Sequence, residues 1–189
     1  MMVSGVLLVA DAAVTLLWQE PVSWLVAMRE QAELRDDLSD PPARVLRRQP
    51  LPGDAIGRIS IPAIGVDEYV VEGTDLANLR KGPGHYPSTA YPGSRGTTAV
   101  AGHRTTYGAP FRRIDGLKRG QWVAVDLPDR RWLYRVEKVK IVDPSDLSVL
   151  KRVKHDRLVL SACHPLYSAA QRVVVFAKAA GSEPSRVKN

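Results

Sequence analysis

The residues most able to perform covalent chemistry lie near the end of the chain, at the edges of two apolar segments. Cys163, the only cysteine, ends the segment 157–163, and Pro165 prevents a strand from continuing far beyond it. Arg172 follows nine residues after the cysteine and opens a second apolar segment at 173–177. If these segments form neighbouring strands, the thiol and the guanidinium share one edge of a sheet.

A histidine has a similar position in a third apolar segment. His103 lies 60 residues before Cys163 and directly follows the segment 97–102. A thiolate that attacks, an imidazole that transfers protons and a guanidinium that stabilises charge on an oxygen would form an acyl-transfer site. Spacing alone leaves a structural interpretation open, because a lone cysteine in a strand is usually a small buried apolar residue.

Three short motifs contain these residues or precede them. They are Gly82-Pro83-Gly84-His85-Tyr86-Pro87, Ala101-Gly102-His103-Arg104-Thr105-Thr106-Tyr107-Gly108 and Leu160-Ser161-Ala162-Cys163-His164-Pro165. Together with Arg172 they resemble the motifs of sortases, the cysteine transpeptidases of bacterial cell surfaces, in the order that the family has them. The resemblance is closer to class E and its class D neighbours than to class A. One departure is that Val159 and Ala162 stand where the family has threonines.

The resemblance implies an all-β fold. We expect a closed barrel of about eight strands with short helices, preceded by an N-terminal helical segment. It implies that Cys163 is the nucleophile, His103 the proton-transfer group and Arg172 the donor to the tetrahedral oxygen. Substrate contacts are predicted for four further residues, which are His85, Arg104, Tyr107 and Ala162. No cofactor is implied.

The same resemblance implies a substrate class. Such an enzyme cleaves a Leu-Ala-x-Thr-Gly or Leu-Pro-x-Thr-Gly sorting signal between threonine and glycine, then transfers the protein from a cysteine thioester to an amine. The implied partners are surface proteins that carry the signal, with a peptidoglycan precursor or a pilin lysine as the acceptor. A pilin-polymerising sortase and an inactive module that binds peptides on the same barrel stay open as alternatives.

Composition argues against several other classes. The formal charge is +7, and residues 118–157 hold eleven Lys/Arg against six Asp/Glu. A basic face suits teichoic acids or anionic lipids, whereas no nucleic-acid-binding motif accompanies the charge. One cysteine excludes an internal disulfide, and the absence of His-x-x-x-His or Cys-x-x-Cys spacing disfavours a metal site.

The first 18 residues are apolar except for Ser4, Asp11 and Thr15. The segment is shorter than the roughly 20 residues that a spanning helix needs. Asp11 near its middle would cost about 2.5–3.5 kcal/mol in a bilayer. Because sortases generally carry an N-terminal anchor, we expect this segment to hold the protein at the cell membrane with the catalytic domain outside. An amphipathic helix packed on the protein and a cleaved signal are the alternatives.

The chain divides into four predicted parts. Residues 1–38 form the N-terminal hydrophobic and helical segment, and residues 39–53 form a linker without regular structure because of four prolines. The catalytic barrel spans 54–181 and a polar tail spans 182–189. Strands are predicted at 56–61, 66–71, 97–102, 121–127, 131–142, 158–163 and 172–177. We expect truncation through about Gly53 to leave a soluble, active enzyme.

Overall fold

The computed structural model describes residues 21–187. Its eight strands are β1 (Ala55–Ile61), β2 (Val66–Glu72), β3 (Gly84–His85), β4 (Gly96–Ala101), β5 (Trp122–Asp126), β6 (Arg130–Val142), β7 (Asp156–His164) and β8 (Gln171–Pro184). They close into a barrel in the order β1-β2-β3-β4-β7-β8-β6-β5. The predicted all-β closed barrel is therefore confirmed.

Within residues 21–187, three α-helices accompany the barrel: α1 (Pro21–Ser39), α2 (Ala43–Leu46) and α3 (Leu76–Lys81). Single 3-10 turns lie at Pro62–Ile64, Ile114–Gly116 and Leu147–Leu150. Helix α2 corrects the expectation that residues 39–53 lack regular structure. Pro42 stands directly before α2, where a missing N–H and a fixed φ do not oppose a helix.

Alternation along β7 decides which side chains face the core. Leu158, Leu160 and Ala162 belong to the cluster inside the barrel. Val159 belongs instead to an outer cluster with Ala99, Val174 and Phe176 from the two neighbouring strands. Even-numbered residues of β7 therefore point inward and odd-numbered ones outward, which places Cys163 on the outer face at the end of the strand.

Helix α1 is part of the folded unit. Leu34 and Leu38 are 2% and 0% exposed and pack in one cluster with Ala55 and Val71 of the barrel. The side chain of Gln31 bridges two elements of the barrel domain, since it bonds both the N–H and the carbonyl of Tyr69 and also the carbonyl of Lys81. Truncation through Gly53 would remove this packing, so the structure moves the useful truncation point upstream of α1.

The C-terminal boundary also differs from the prediction. Strand β8 pairs with β6 as far as Pro184, which lies opposite Arg130, so three residues of the predicted polar tail belong to the sheet. The Ser185 hydroxyl then donates to the carbonyl of Leu127 at 2.6 Å.

Among the described residues, no helix has both the length and the apolar character that crossing a bilayer requires. The predicted anchor at 1–18 lies outside the described residues.

Candidate active site

Cys163 lies on the central strand of three that form the site. It is exposed, and in the antiparallel pairing of β7 with β8 its direct partner is Arg172. Residues directly opposite each other in an antiparallel pair carry their side chains on the same face. The thiol and the guanidinium therefore share the outer face of the barrel.

His103 follows the strand on the other side of β7. The parallel pairing of β4 with β7 ends at Ala101 and Ser161, and the Gly102 N–H then donates to the Ser161 carbonyl at 3.1 Å. His103 and Cys163 each come two residues after this last pair, His103 beyond the end of β4 and Cys163 still within β7. The register thus brings His103 and Arg172 to opposite sides of Cys163.

The imidazole of His103 is half-buried. Burial lowers the pKa of His103 below its usual value, because the charged form loses solvation. Within residues 21–187, its buried Nε2 atom has no hydrogen-bond partner. A buried polar atom without a partner needs an explanation, and in this position a group of the substrate or the thiol would supply the missing partner.

We expect the His103 imidazole to titrate at a lower pH in the folded protein than in the unfolded chain. Its protonation then favours unfolding, so stability is unaffected by this group above about pH 6.5 and falls as the pH decreases from there to the folded pKa. NMR titration of the ring, with and without urea, measures both midpoints. A folded midpoint at or above the unfolded one would contradict the burial argument.

Arg172 is partly exposed and is held by its own turn. Its Nη1 donates to the carbonyls of Ala169 at 2.9 Å and Gln171 at 3.0 Å. No partner for its Nε or Nη2 lies within residues 21–187, so the guanidinium is anchored with donors to spare. Such a group can donate to an oxygen that gains negative charge beside Cys163.

Arg104 was predicted to contact the substrate, and its burial corrects that prediction. The side chain is 3% exposed. It donates to the carbonyls of Arg112 and Cys163 and forms an ion pair with Asp115 at 2.8 Å. Its guanidinium therefore ties the loop after His103 to the end of β7 and is not available to a peptide.

His164 lies with Arg104 rather than with the thiol. Its Nδ1 is 3.2 Å from Nη1 of Arg104. This is the side opposite to Cys163 that alternation along β7 predicts, so His164 is poorly placed to act as the base.

Two other predicted substrate contacts are buried. His85 is 2% exposed, with Nδ1 at 2.8 Å from Oε2 of Glu72 and Nε2 at 3.1 Å from the carbonyl of Ala90. Ala162 is 4% exposed and belongs to the barrel core. Burial removes both from the rim of the site. The lost threonine at 162 would have faced the interior, so its replacement leaves the outer face unchanged.

Tyr107 is the one predicted substrate contact that lies beside the imidazole and is partly exposed. Its ring centroid is 5.2 Å from that of His103. No cluster of three or more His, Cys, Asp or Glu side chains suited to a metal ion occurs in the described part of the chain.

A model of the sortase domain family matches residues 59–180 of this chain. The chain belongs to the sortase family. This sortase is 35% identical over 135 residues to Sortase D of Bacillus subtilis, a match that covers 69% of the chain and 66% of the relative. It is 27% identical over 200 residues to Sortase SrtE1 of Streptomyces coelicolor, covering 96% of the chain and 55% of the relative.

The solved structure of a Clostridium perfringens Sortase D5 transpeptidase is similar in fold. It has a TM-score of 0.71 and 26% identity, and the match covers 82% of this chain and 99% of that one. These similarities support a sortase of the class D/E type, and sortases are cysteine transpeptidases. The chain spans less than two thirds of the length of either curated relative.

Alternation along β4 indicates the buried position of Arg104. Odd-numbered residues around β4 face outward, as Ala99 shows by packing in the outer cluster, so an even-numbered arginine beyond the strand should turn inward. Two other residues near the site, Ser23 and Arg80, have no such signal, because they come from helices distant in the sequence.

Proposed function

We propose that this sortase cleaves a sorting signal between threonine and glycine. It then transfers the part that ends in the threonine carbonyl to an amine. The observation that carries the proposal is the strand register, which pairs Cys163 with Arg172 and ends the pairing of β4 with β7 two residues before His103 and Cys163. Membership of the sortase family supports the same reaction class. A peptide lying across that face meets a nucleophile, a proton carrier and a hydrogen-bond donor together.

The first half of the reaction forms a thioester. The Cys163 thiolate attacks the threonine carbonyl carbon, and Arg172 donates a hydrogen bond to the oxygen that becomes negative. The C–N bond to glycine then breaks, and protonated His103 gives its proton to the departing amine. Burial lowers the pKa of His103, which disfavours the protonated form that this step uses.

The second half reverses these roles. An acceptor amine attacks the thioester carbonyl, and neutral His103 removes the proton from the attacking nitrogen. Collapse of the tetrahedral intermediate forms the new peptide bond and releases the Cys163 thiolate. A neutral imidazole at the start of this step is favoured by the same burial that lowers its pKa.

The test of this function is a reaction of the full chain with a panel of sorting peptides and amines, followed by mass spectrometry. The expected product joins the peptide, through its threonine, to the amine. A lysine-bearing acceptor that reacts best would identify a pilin polymerase. Peptide binding without any product would leave only the inactive binding module.

Peptide preference is the next expectation. We expect Leu-Ala-x-Thr-Gly to be turned over about tenfold faster than Leu-Pro-x-Thr-Gly, since the alanine N–H can be hydrogen-bonded and one such bond is worth up to about 1.4 kcal/mol. Proline lacks this donor and leaves the protein acceptor unpaired. Paired kcat/KM values for peptides that differ only at this residue measure the ratio. Equal turnover, or a preference for proline, would contradict the substrate class while leaving the transpeptidase intact.

We also infer that residues 1–18 hold the protein at the membrane. The described chain continues from that segment with exposed apolar side chains at the start of α1, namely Trp24, Leu25, Val26 and Met28. Removal of residues 1–20 should release a soluble enzyme that is as active and as stable as the full chain. Removal of 1–53 should lower the free energy of unfolding, because each buried leucine lost from α1 is worth about 2–5 kcal/mol.

Fractionation of cells and urea unfolding of the two truncated proteins check these expectations. Full-length protein that purifies without detergent as a monomer would contradict the anchor. Equal stability of the two truncated forms would contradict the structural role of α1.

A further inference from the structure

The ring of Tyr107 lies beside the imidazole of His103. It lies 5.2 Å from the ring of His103, centroid to centroid, with the two planes at 45°. The ring is itself held from α3, since Nε of Arg80 donates to the Tyr107 hydroxyl at 2.9 Å. The guanidinium carbon of Arg80 is also 5.4 Å from the ring centroid, within cation–π range.

The backbone under this ring is strained. Tyr107, Gly108 and Ala109 have φ values of +49°, +73° and +47°. Only glycine adopts this left-handed region freely, whereas a tyrosine or alanine persists there when surrounding contacts over-determine the conformation. Something must therefore hold the loop at 107–109 in place.

Helix α1 provides that hold. The strained Tyr107 N–H donates to Oγ of Ser23 at 3.3 Å, and Ser23 is 7% exposed. Ala27, one turn further along α1, is 6% exposed and packs against the same loop, since a β-carbon at Gly108 would lie 3.6 Å from its Cβ. The N-terminal helix thus covers the loop that carries the tyrosine.

We propose that Tyr107 is a positioning residue for the His103 imidazole, and that α1 sets its position through Ser23 and Ala27. This rests on the proposed function, in which His103 transfers the protons. Within residues 21–187 the Nε2 of His103 has no hydrogen-bond partner that would fix the orientation of the ring. The neighbouring tyrosine ring restricts the tilt of the imidazole instead. A proton-transfer group needs such restriction, because small misplacements lose large factors in rate.

Positioning and substrate contact make different predictions for Tyr107. A residue that only binds the peptide changes KM when it is removed. A residue that orients His103 changes kcat, and it changes the magnetic environment of the imidazole even without substrate. The geometry favours positioning, since the Tyr107 hydroxyl accepts a hydrogen bond from Arg80 and the Tyr107 N–H donates one to Ser23.

The experiment compares four variants of the full chain. Tyr107→Asn removes the aromatic ring, and asparagine tolerates the left-handed φ of this position. Tyr107→Phe keeps the ring, and Ser23→Ala removes the bond from α1. Leu25→Ala is the matched control, because Leu25 lies on the same helix and is 58% exposed.

We expect Tyr107→Asn to lower kcat by about 10- to 100-fold with little change in KM. Tyr107→Phe should retain most of the activity, Ser23→Ala should lose several-fold in kcat, and Leu25→Ala should match the wild type. NMR signals of the His103 ring should shift in Tyr107→Asn and Ser23→Ala but not in Leu25→Ala.

Unchanged kcat and unchanged His103 signals in Tyr107→Asn would overturn the inference, as would a change in KM alone. If Tyr107→Asn fails to fold, by circular dichroism, Ser23→Ala decides, and wild-type kcat in that variant overturns the role of α1. The proposed function is judged separately, by whether the wild-type protein joins the peptide to an amine and Cys163→Ala does not.

Discussion

Replacement of Cys163 with alanine should abolish both cleavage of the sorting signal and transfer to an amine. Cys163 is the only thiol in the chain, so no other residue can form the thioester. We expect kcat to fall by more than about 10³-fold, as losses of catalytic nucleophiles do. The fold should be kept, because the side chain is small and exposed at the end of β7. Peptide cleavage and ligation, followed by mass spectrometry, measure both activities.

Ser161→Ala is the matched control for this variant. Ser161 lies two residues before Cys163 on the same face of β7, with a hydroxyl in place of a thiol. Activity should survive its loss, since no base activates this serine. Transfer above a few per cent of wild type in pure Cys163→Ala protein would remove the thiol from the mechanism.

The second large effect concerns the two neighbours of the thiol. His103→Ala should lower kcat/KM by about 10²–10⁴-fold, the usual value of general acid–base catalysis. Arg172→Ala should lower it by about 10²–10³-fold, the usual loss of one oxyanion donor. Arg172→Lys should restore only part of this, because lysine keeps the charge and loses the planar fork of donors.

His164→Ala and His85→Ala are the controls for His103. His164 faces Arg104, so its loss should cost far less activity than the loss of His103. His85→Ala should lower stability rather than catalysis, since it leaves the buried Glu72 carboxylate without its partner. Equal damage from His164→Ala and His103→Ala would show that the alternation argument is wrong.

The barrel and the strand positions of the three proposed catalytic residues were predictable from the sequence because they depend on local patterns. A short, largely apolar run bounded by turn residues marks a strand and its end, and such a run comes before both Cys163 and His103. The family resemblance supplies the closed barrel, which the pattern alone does not. What neither shows is which partners hold the polar side chains that lie beside these strand ends.

His85 and Arg104 illustrate this limit. Each stands at a strand end in a glycine-containing motif, as a substrate-binding residue would. Each is nevertheless buried, because a carboxylate from another part of the chain lies within hydrogen-bonding distance: Glu72, 13 residues before His85, and Asp115 beside Arg104. Alternation indicates that Arg104 turns inward, but only its contacts with Asp115 and with the carbonyls of Arg112 and Cys163 show how the buried charge is held.

The contact of α1 with the loop after His103 is even less accessible to prediction from the sequence. Ser23 and Tyr107 are separated by 84 positions, and nothing local to either predicts their hydrogen bond. From the sequence, α1 is therefore predicted to be dispensable. In the structure it packs on the barrel and against the loop at 107–109.

The central claim is that Cys163 forms a thioester with the threonine of the peptide, and one measurement tests it most directly. Wild-type protein is mixed with a sorting peptide without an added amine, quenched in acid at successive times, and analysed by intact mass and peptide mapping. We predict a mass increase equal to the peptide through its threonine, less one water, located on Cys163 and lost when an amine is added. An adduct on another residue, or turnover without any adduct, would contradict the claim.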